Sequence, residues 1–151
     1  MKPRCVLVVD DDENDRFFVE VAWQNAGVKG VLRMARDGFQ ALDYLAGAGR
    51  YSDRDQHPFP DLVLLDLKMP GKDGFEVLSW IRQQPGLAGL VVIILTASAH
   101  EEDQELAARL GANAFVVKPS NAEHLTCLLS AIQSFWFCFH VFSDDRTAVP
   151  V

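Results

Sequence analysis

Five short apolar runs recur along the chain, at residues 6–9, 31–35, 61–66, 90–95 and 114–117. The runs at 6–9 and 90–95, and residues 62–65 of the third, are continuously apolar rather than alternating, which is the pattern of strands covered on both faces. Between the runs the apolar positions change to helical spacing. Phe17, Phe18, Val21, Ala22 and Asn25 predict a helix over 13–26, capped by Asp12 and stopped by Gly27. Phe39, Ala41, Leu42 and Leu45 predict a short helix ending near Gly47, and the polar Gly- and Pro-containing stretch 47–60 reads as a loop. Asp73-Gly74-Phe75-Glu76 has the form of a capping box, opening a helix to about Gln84 with the stripe Phe75, Val77, Leu78 and Ile81. Ser98-Ala99-His100-Glu101 has the same form and opens an acidic helix closed by Gly111. Ser120-Asn121-Ala122-Glu123 is the third, opening a last helix with Leu125, Leu128, Leu129 and Ile132.

Strands and helices therefore alternate five times. That order implies an α/β fold, a parallel sheet wound on both faces by helices. Right-handed crossovers then bring the carboxyl end of every strand to one edge. In open sheets of this kind that edge binds ligands. The first strand delivers Asp10 and Asp11 there, the third Asp66, the fourth Thr96 and the fifth Lys118. Taken singly, each has an ordinary explanation: a turn acid, a helix-entry hydroxyl, a solvated lysine. Together they form a set with one polar group per strand end. Carboxylates about 4 Å apart repel by roughly 4 kcal/mol at an effective dielectric of 20. Such a cluster protonates or binds a cation. An all-oxygen site beside a phosphate suits Mg²⁺. Lys118 and Thr96 would then neutralise and orient a phosphoryl group carried by Asp66, the positioning and charge compensation on which phosphoryl transfer depends.

Length and composition agree with this picture and narrow it. A chain of 151 residues, 49% apolar and 23% charged, is the size of one globular domain. The net charge of −7 argues against a nucleic-acid or anionic-membrane surface. No apolar run reaches the roughly 18 residues of a membrane span, and the N-terminal apolar run is too short for a signal-peptide core. A cytoplasmic protein is expected. Cys5, Cys127 and Cys138 form no C-x-x-C pair, so they read as small buried apolar residues, not as a disulfide framework or zinc site.

Four segments carry a family likeness: Val8-Val9-Asp10-Asp11, the stretch from Leu65-Asp66 through Pro70-Gly71-Lys72-Asp73-Gly74, Leu95-Thr96-Ala97 and Val117-Lys118-Pro119. Over residues 4–132 the chain resembles the receiver domain of two-component response regulators. The resemblance implies a flavodoxin-like doubly wound sheet of strand order 2-1-3-4-5. It implies that Asp66 takes a phosphoryl group from a phosphohistidine on a sensor histidine kinase. Asp10, Asp11, Asp66 and the backbone carbonyl of Lys68 would bind Mg²⁺. Thr96 and Lys118 would contact the phosphoryl oxygens, Phe115 would be the switch aromatic, and the Lys118–Pro119 bond would be cis. Lys68 and Ser98, two residues beyond Asp66 and Thr96, stand at positions that tune the family's kinetics. The loop containing Arg50-Tyr51-Ser52-Asp53-Arg54 and the tail containing Phe135-Trp136 are similar to those of single-domain regulators paired with phytochrome-type kinases.

The expected organisation is a receiver domain over residues 1–142, including an aromatic extension, followed by a disordered tail at 143–151. A homodimer is expected, and residues 134–142, which are unusually aromatic, either pack on their own core or form its contact. The expected output is a protein surface, not DNA binding or catalysis on an outside substrate. Two other functions fit parts of the pattern. A Mg-dependent phosphatase using an aspartyl phosphate would normally place a second acid two residues after its nucleophile, where this chain has Lys68. A non-phosphorylated scaffold receiver would not need the full set Asp10, Asp11, Asp66, Thr96 and Lys118.

Overall fold

The computed structural model describes residues 4–135. Five strands, β1 (Cys5–Val9), β2 (Val31–Ala35), β3 (Leu62–Leu65), β4 (Val91–Thr96) and β5 (Ala114–Val117), alternate with α1 (Glu13–Ala26), α2 (Gly38–Ala46), α3 (Gly74–Gln83), α4 (Glu101–Arg109) and α5 (Ala122–Ile132). All four ladders are parallel and the order is β2-β1-β3-β4-β5. This is the flavodoxin-like arrangement implied by the resemblance.

Strand pleating explains the continuous apolar runs. Leu7, Val9, Val63, Leu65, Val92 and Ile94 point into one core beneath α2, α3 and α4. Their neighbours Val6, Val8, Leu62, Leu64, Val91, Ile93 and Leu95 point into the other, beneath α1 and α5. Successive side chains face opposite ways along a strand, so covering both faces requires apolar residues at every position. At the sheet margins the covering is thinner: most of β2 and β5 is only half-buried, and Val117 is exposed.

The α1 stripe differs from the sequence expectation. Val19, Ala22 and Trp23 are buried, whereas Phe17 and Phe18 are 59% and 53% exposed and Asn25 faces solvent. Two overlapping stripes of helical spacing share Ala22, and packing against α5 selects the one that buries the Trp23 indole. Phe39 likewise lies outside the core, its ring against Gly71 and below the Lys72 ammonium. Of the three expected capping boxes only Asp73–Glu76 forms. At α4 the cap position is His100, without a side-chain bond, because the Ser98 hydroxyl donates to Asp103 instead. At α5 the cap is Asn121, accepting from the His124 backbone N–H.

The expected loop at 47–60 contains a folded cluster. A 3₁₀ turn (Gly49–Tyr51) buries Tyr51 against Tyr44 and His57. The Arg54 guanidinium donates to the carbonyls of Tyr44, Leu45 and His57. Arg82 does similar work between α3 and β5, donating to the carbonyls of Gly111, Ala88 and Leu90. Cys5 is buried, and burial pushes its thiol up to about 11, so it stays protonated as a packing residue. Cys127 is exposed, contrary to expectation, because it lies between Leu125 and Leu129 on the outer side of α5. Cys138, the aromatic extension beyond Phe135 and the tail at 143–151 lie outside the described residues. Among the described residues no helix is long and apolar enough to cross a membrane.

Candidate functional site

The ladder positions the acids. Asp10 N–H donates to the Ala35 carbonyl and Asp66 N–H to the Val9 carbonyl, each just past the end of its strand. Both carboxyls therefore leave the sheet at the same edge, and both residues are buried, at 4% and 6% exposure. Asp11 is exposed. One carboxylate oxygen from each of Asp10, Asp11 and Asp66 lies within 4.8 Å of the others. Lys118 enters from β5, whose last residue Val117 pairs with Thr96, and the Lys118 N–H donates to the Thr96 carbonyl at 2.7 Å. Lys118 Nζ lies 2.7 Å from Asp10 Oδ2, 2.7 Å from Asp15 Oδ2 and 3.2 Å from Asp66 Oδ2. Residues separated by up to 108 positions in sequence thus meet through their backbone ladders.

Thr96 is fully buried as the last residue of β4, and its hydroxyl oxygen accepts from the Ser98 N–H at 3.4 Å. Phe115 pairs with Ile94 and is half-buried against the core beneath α2, α3 and α4. The Lys68 N–H points to Asp66 Oδ1 at 3.4 Å, and its ammonium forms an ion pair with Asp103 at 3.1 Å. The Ser98 hydroxyl and the Lys68 ammonium hold the Asp103 carboxyl below its usual range. Among the described residues there is no cis peptide bond, so Lys118–Pro119 is trans. An X–Pro amide favours trans by about 0.5–1 kcal/mol unless its surroundings impose the other isomer.

Two site residues lack a signal that singles them out in the sequence. Asp15 reads as an ordinary acid in the first turn of a helix, yet it contacts Lys118 across 103 positions. Asp103 likewise reads as a dipole-compensating acid at the start of α4, although it links Ser98 to Lys68.

The electrostatics are those of a cation site. Asp10, Asp15 and Asp66 contact the Lys118 ammonium and Asp11 joins two of them in the oxygen cluster, so these four acids exceed that lysine by three formal negative charges. Burial pushes the Asp10 carboxyl above its ordinary value, against the opposing pull of Lys118 and the Asp12 N–H. Burial alone would lower the Lys118 pKa, but Asp10, Asp15 and Asp66 outweigh it and raise the pKa. The converging donors are carboxylate oxygens, with no thiolate or imidazole among them, which fits a hard divalent ion such as Mg²⁺.

The Asp10 shift has a testable sign. An acid whose folded pKa exceeds its unfolded value stabilises the fold below about pH 4, and loses that contribution as pH rises through the folded value. Metal-free Asp10→Asn is therefore expected to unfold about 2–4 °C higher than wild type at neutral pH, and to lose this advantage near pH 3. Calorimetry across that range checks it; a lower midpoint at neutral pH would mean that pairing with Lys118 outweighs burial.

Comparisons with known proteins converge on this architecture. Residues 6–130 match the model of the response regulator receiver domain. The response regulator Rcp1 of Synechocystis sp. is 35% identical over 134 residues, 89% of each chain. The crystal structure of the Mn²⁺-bound form of Rcp1 superposes with a TM-score of 0.78 at 32% identity, covering 99% of this chain and 100% of that one. The crystal structure of the phosphorylated cyanobacterial phytochrome response regulator RcpA gives a TM-score of 0.81 at 32% identity, covering 89% and 94%.

Proposed function

The chain belongs to the response regulator receiver family, and we propose that Asp66 accepts a phosphoryl group from a phosphohistidine of a sensor kinase in a Mg²⁺-dependent reaction. The observation that carries this is the placement of Asp66 at the end of β3, inside the Asp10–Asp11–Asp66 oxygen cluster and 3.2 Å from Lys118 Nζ.

An Asp66 carboxylate oxygen attacks phosphorus, the bond to the imidazole nitrogen breaks, and the imidazole leaves with the bonding pair. Lys118 supplies a fixed positive charge beside the acceptor. The Thr96 hydroxyl donates to a phosphoryl oxygen, and the half-buried Phe115 ring follows it inward. Asp10, Asp11, Asp66 and the Lys68 carbonyl would hold Mg²⁺, which when bound would offset the negative charge of the transferring phosphoryl group. A changed surface around α4, β5 and α5 then signals to a protein partner. The partner proposed for that surface is a second copy of the chain, and a monomer in both phosphorylation states at micromolar concentration would overturn it. Likeness to RcpA supports a phytochrome-type kinase as donor.

The test is incubation of the full chain with Mg²⁺ and acetyl phosphate, read by intact mass. One labile phosphoryl adduct is expected. No adduct would favour a scaffold, and repeated turnover of phosphomonoesters would favour a phosphatase.

A further inference from the structure

Lys118 and a divalent ion draw on the same oxygens. The ammonium sits on Asp10 and Asp66, and these are two of the three acids in the oxygen cluster. Two cations placed about 4 Å apart would repel by roughly 4 kcal/mol at an effective dielectric of 20. Loading the cluster therefore requires Lys118 to release part of its hold on Asp10 and Asp66. A lysine with no other partner would either resist the ion or swing out to solvent, away from the acceptor.

Asp15 supplies the other partner. Among the described residues it is the one carboxylate on Lys118 that lies outside the cluster, and its contact at 2.7 Å is as short as that of Asp10. Its position is fixed by the start of α1. The Asp12 side chain accepts from the Asp15 N–H, and the neighbouring Arg16 guanidinium donates to the Asp10 carbonyl at 2.7 Å. The same helical turn is thus tied to both the end of β1 and the lysine of β5.

We propose that Asp15 is a positioning residue that retains the Lys118 ammonium at the site while Asp10 and Asp66 turn to a divalent ion. It lets the two cations share the acid cluster, and it keeps the ammonium within reach of Asp66. The role rests on the metal-assisted phosphoacceptor function proposed above. The Asp15 side chain is 37% exposed and that of Lys118 18%, so solvent screens the pair and its effect is moderate.

Mg²⁺ titration of the full chain by calorimetry, without any phosphodonor, tests it. Asp15→Asn is expected to weaken Mg²⁺ binding about fivefold, the upper end for a partly exposed ion pair, and Asp15→Glu to recover part of the loss. In a Lys118→Met background the same Asp15→Asn change is expected to cost less than about twofold, because no ammonium remains to be held. Unchanged affinity in Asp15→Asn would overturn the proposal. An equal loss with and without Lys118 would also overturn it, since Asp15 would then act on the ion directly. Wild type that fails to bind Mg²⁺ at millimolar concentration would overturn the metal site itself, a result distinct from either variant outcome.

Discussion

Asp66→Asn is expected to abolish the phosphoryl adduct while leaving the fold intact. The substitution nearly preserves shape, and the Asp66 backbone N–H keeps its bond to the Val9 carbonyl. Chemistry is what changes. An amide oxygen lacks the charge that makes a carboxylate a nucleophile, so adduct formation should fall at least about a thousandfold, as when other covalent nucleophiles are removed. The neighbouring acids make this a demanding test. Asp10 and Asp11 offer oxygens within 4.8 Å of those of Asp66. If position in the cluster were enough, either could be phosphorylated in place of Asp66. Asp10 is the weaker candidate because burial already pushes its carboxyl up and Lys118 occupies its Oδ2. Intact mass after acetyl phosphate treatment decides, with circular dichroism as the control for folding. An adduct of wild-type yield on Asp66→Asn would mean that the acceptor is elsewhere and that β3 only contributes a metal ligand.

The parts of this site that could be read from sequence are those the backbone places. A strand covered on both faces must be apolar throughout, so its end is marked by the first polar residue, as at Val9-Asp10, Leu65-Asp66 and Leu95-Thr96. Parallel topology then gathers those ends without any knowledge of side-chain contacts. What escaped depended on choices between locally equivalent alternatives. Two stripes on α1 satisfy helical spacing, and only the position of α5 selects Val19 and Trp23 over Phe17 and Phe18. Ser98 could cap α4 or donate to Asp103, and no local rule separates the two. The 47–60 segment has loop composition, yet three arginine-to-carbonyl bonds and a triad of rings give it a small core. Asp15 escaped for a related reason. Its partner lies on another strand end, and a first-turn acid is already accounted for by the helix dipole.

Gly74 follows the Asp73 cap as the first residue of α3, and the backbone there is ordinary: Gly74 is not among the glycines in the left-handed region. It is required by close approach. A Cβ at this position would fall on the Asp66 carbonyl oxygen, 2.7 Å from Leu67 Cα and 2.9 Å from the Asp66 carbonyl carbon. All three are backbone atoms, so no side chain can rotate away. The Gly74 N–H also donates to the Leu67 carbonyl, which clamps the start of α3 to the segment carrying the acceptor. Gly74→Ala must therefore push α3 off its buried face of Val77, Leu78 and Ile81 or displace Asp66 and Leu67. Overpacking costs typically reach about 3 kcal/mol where the surroundings cannot yield. For a chain of this length that corresponds to a fall of roughly 6–12 °C in the unfolding midpoint. Displacement of Asp66 should also slow phosphorylation by acetyl phosphate in the fraction that remains folded. Gly86→Ala is the matched control, because a Cβ there meets open space and is expected to change the midpoint by less than about 2 °C. A Gly74→Ala midpoint equal to that of the control would show that α3 slides freely over the acceptor segment, and would remove the rigid coupling between that helix and Asp66.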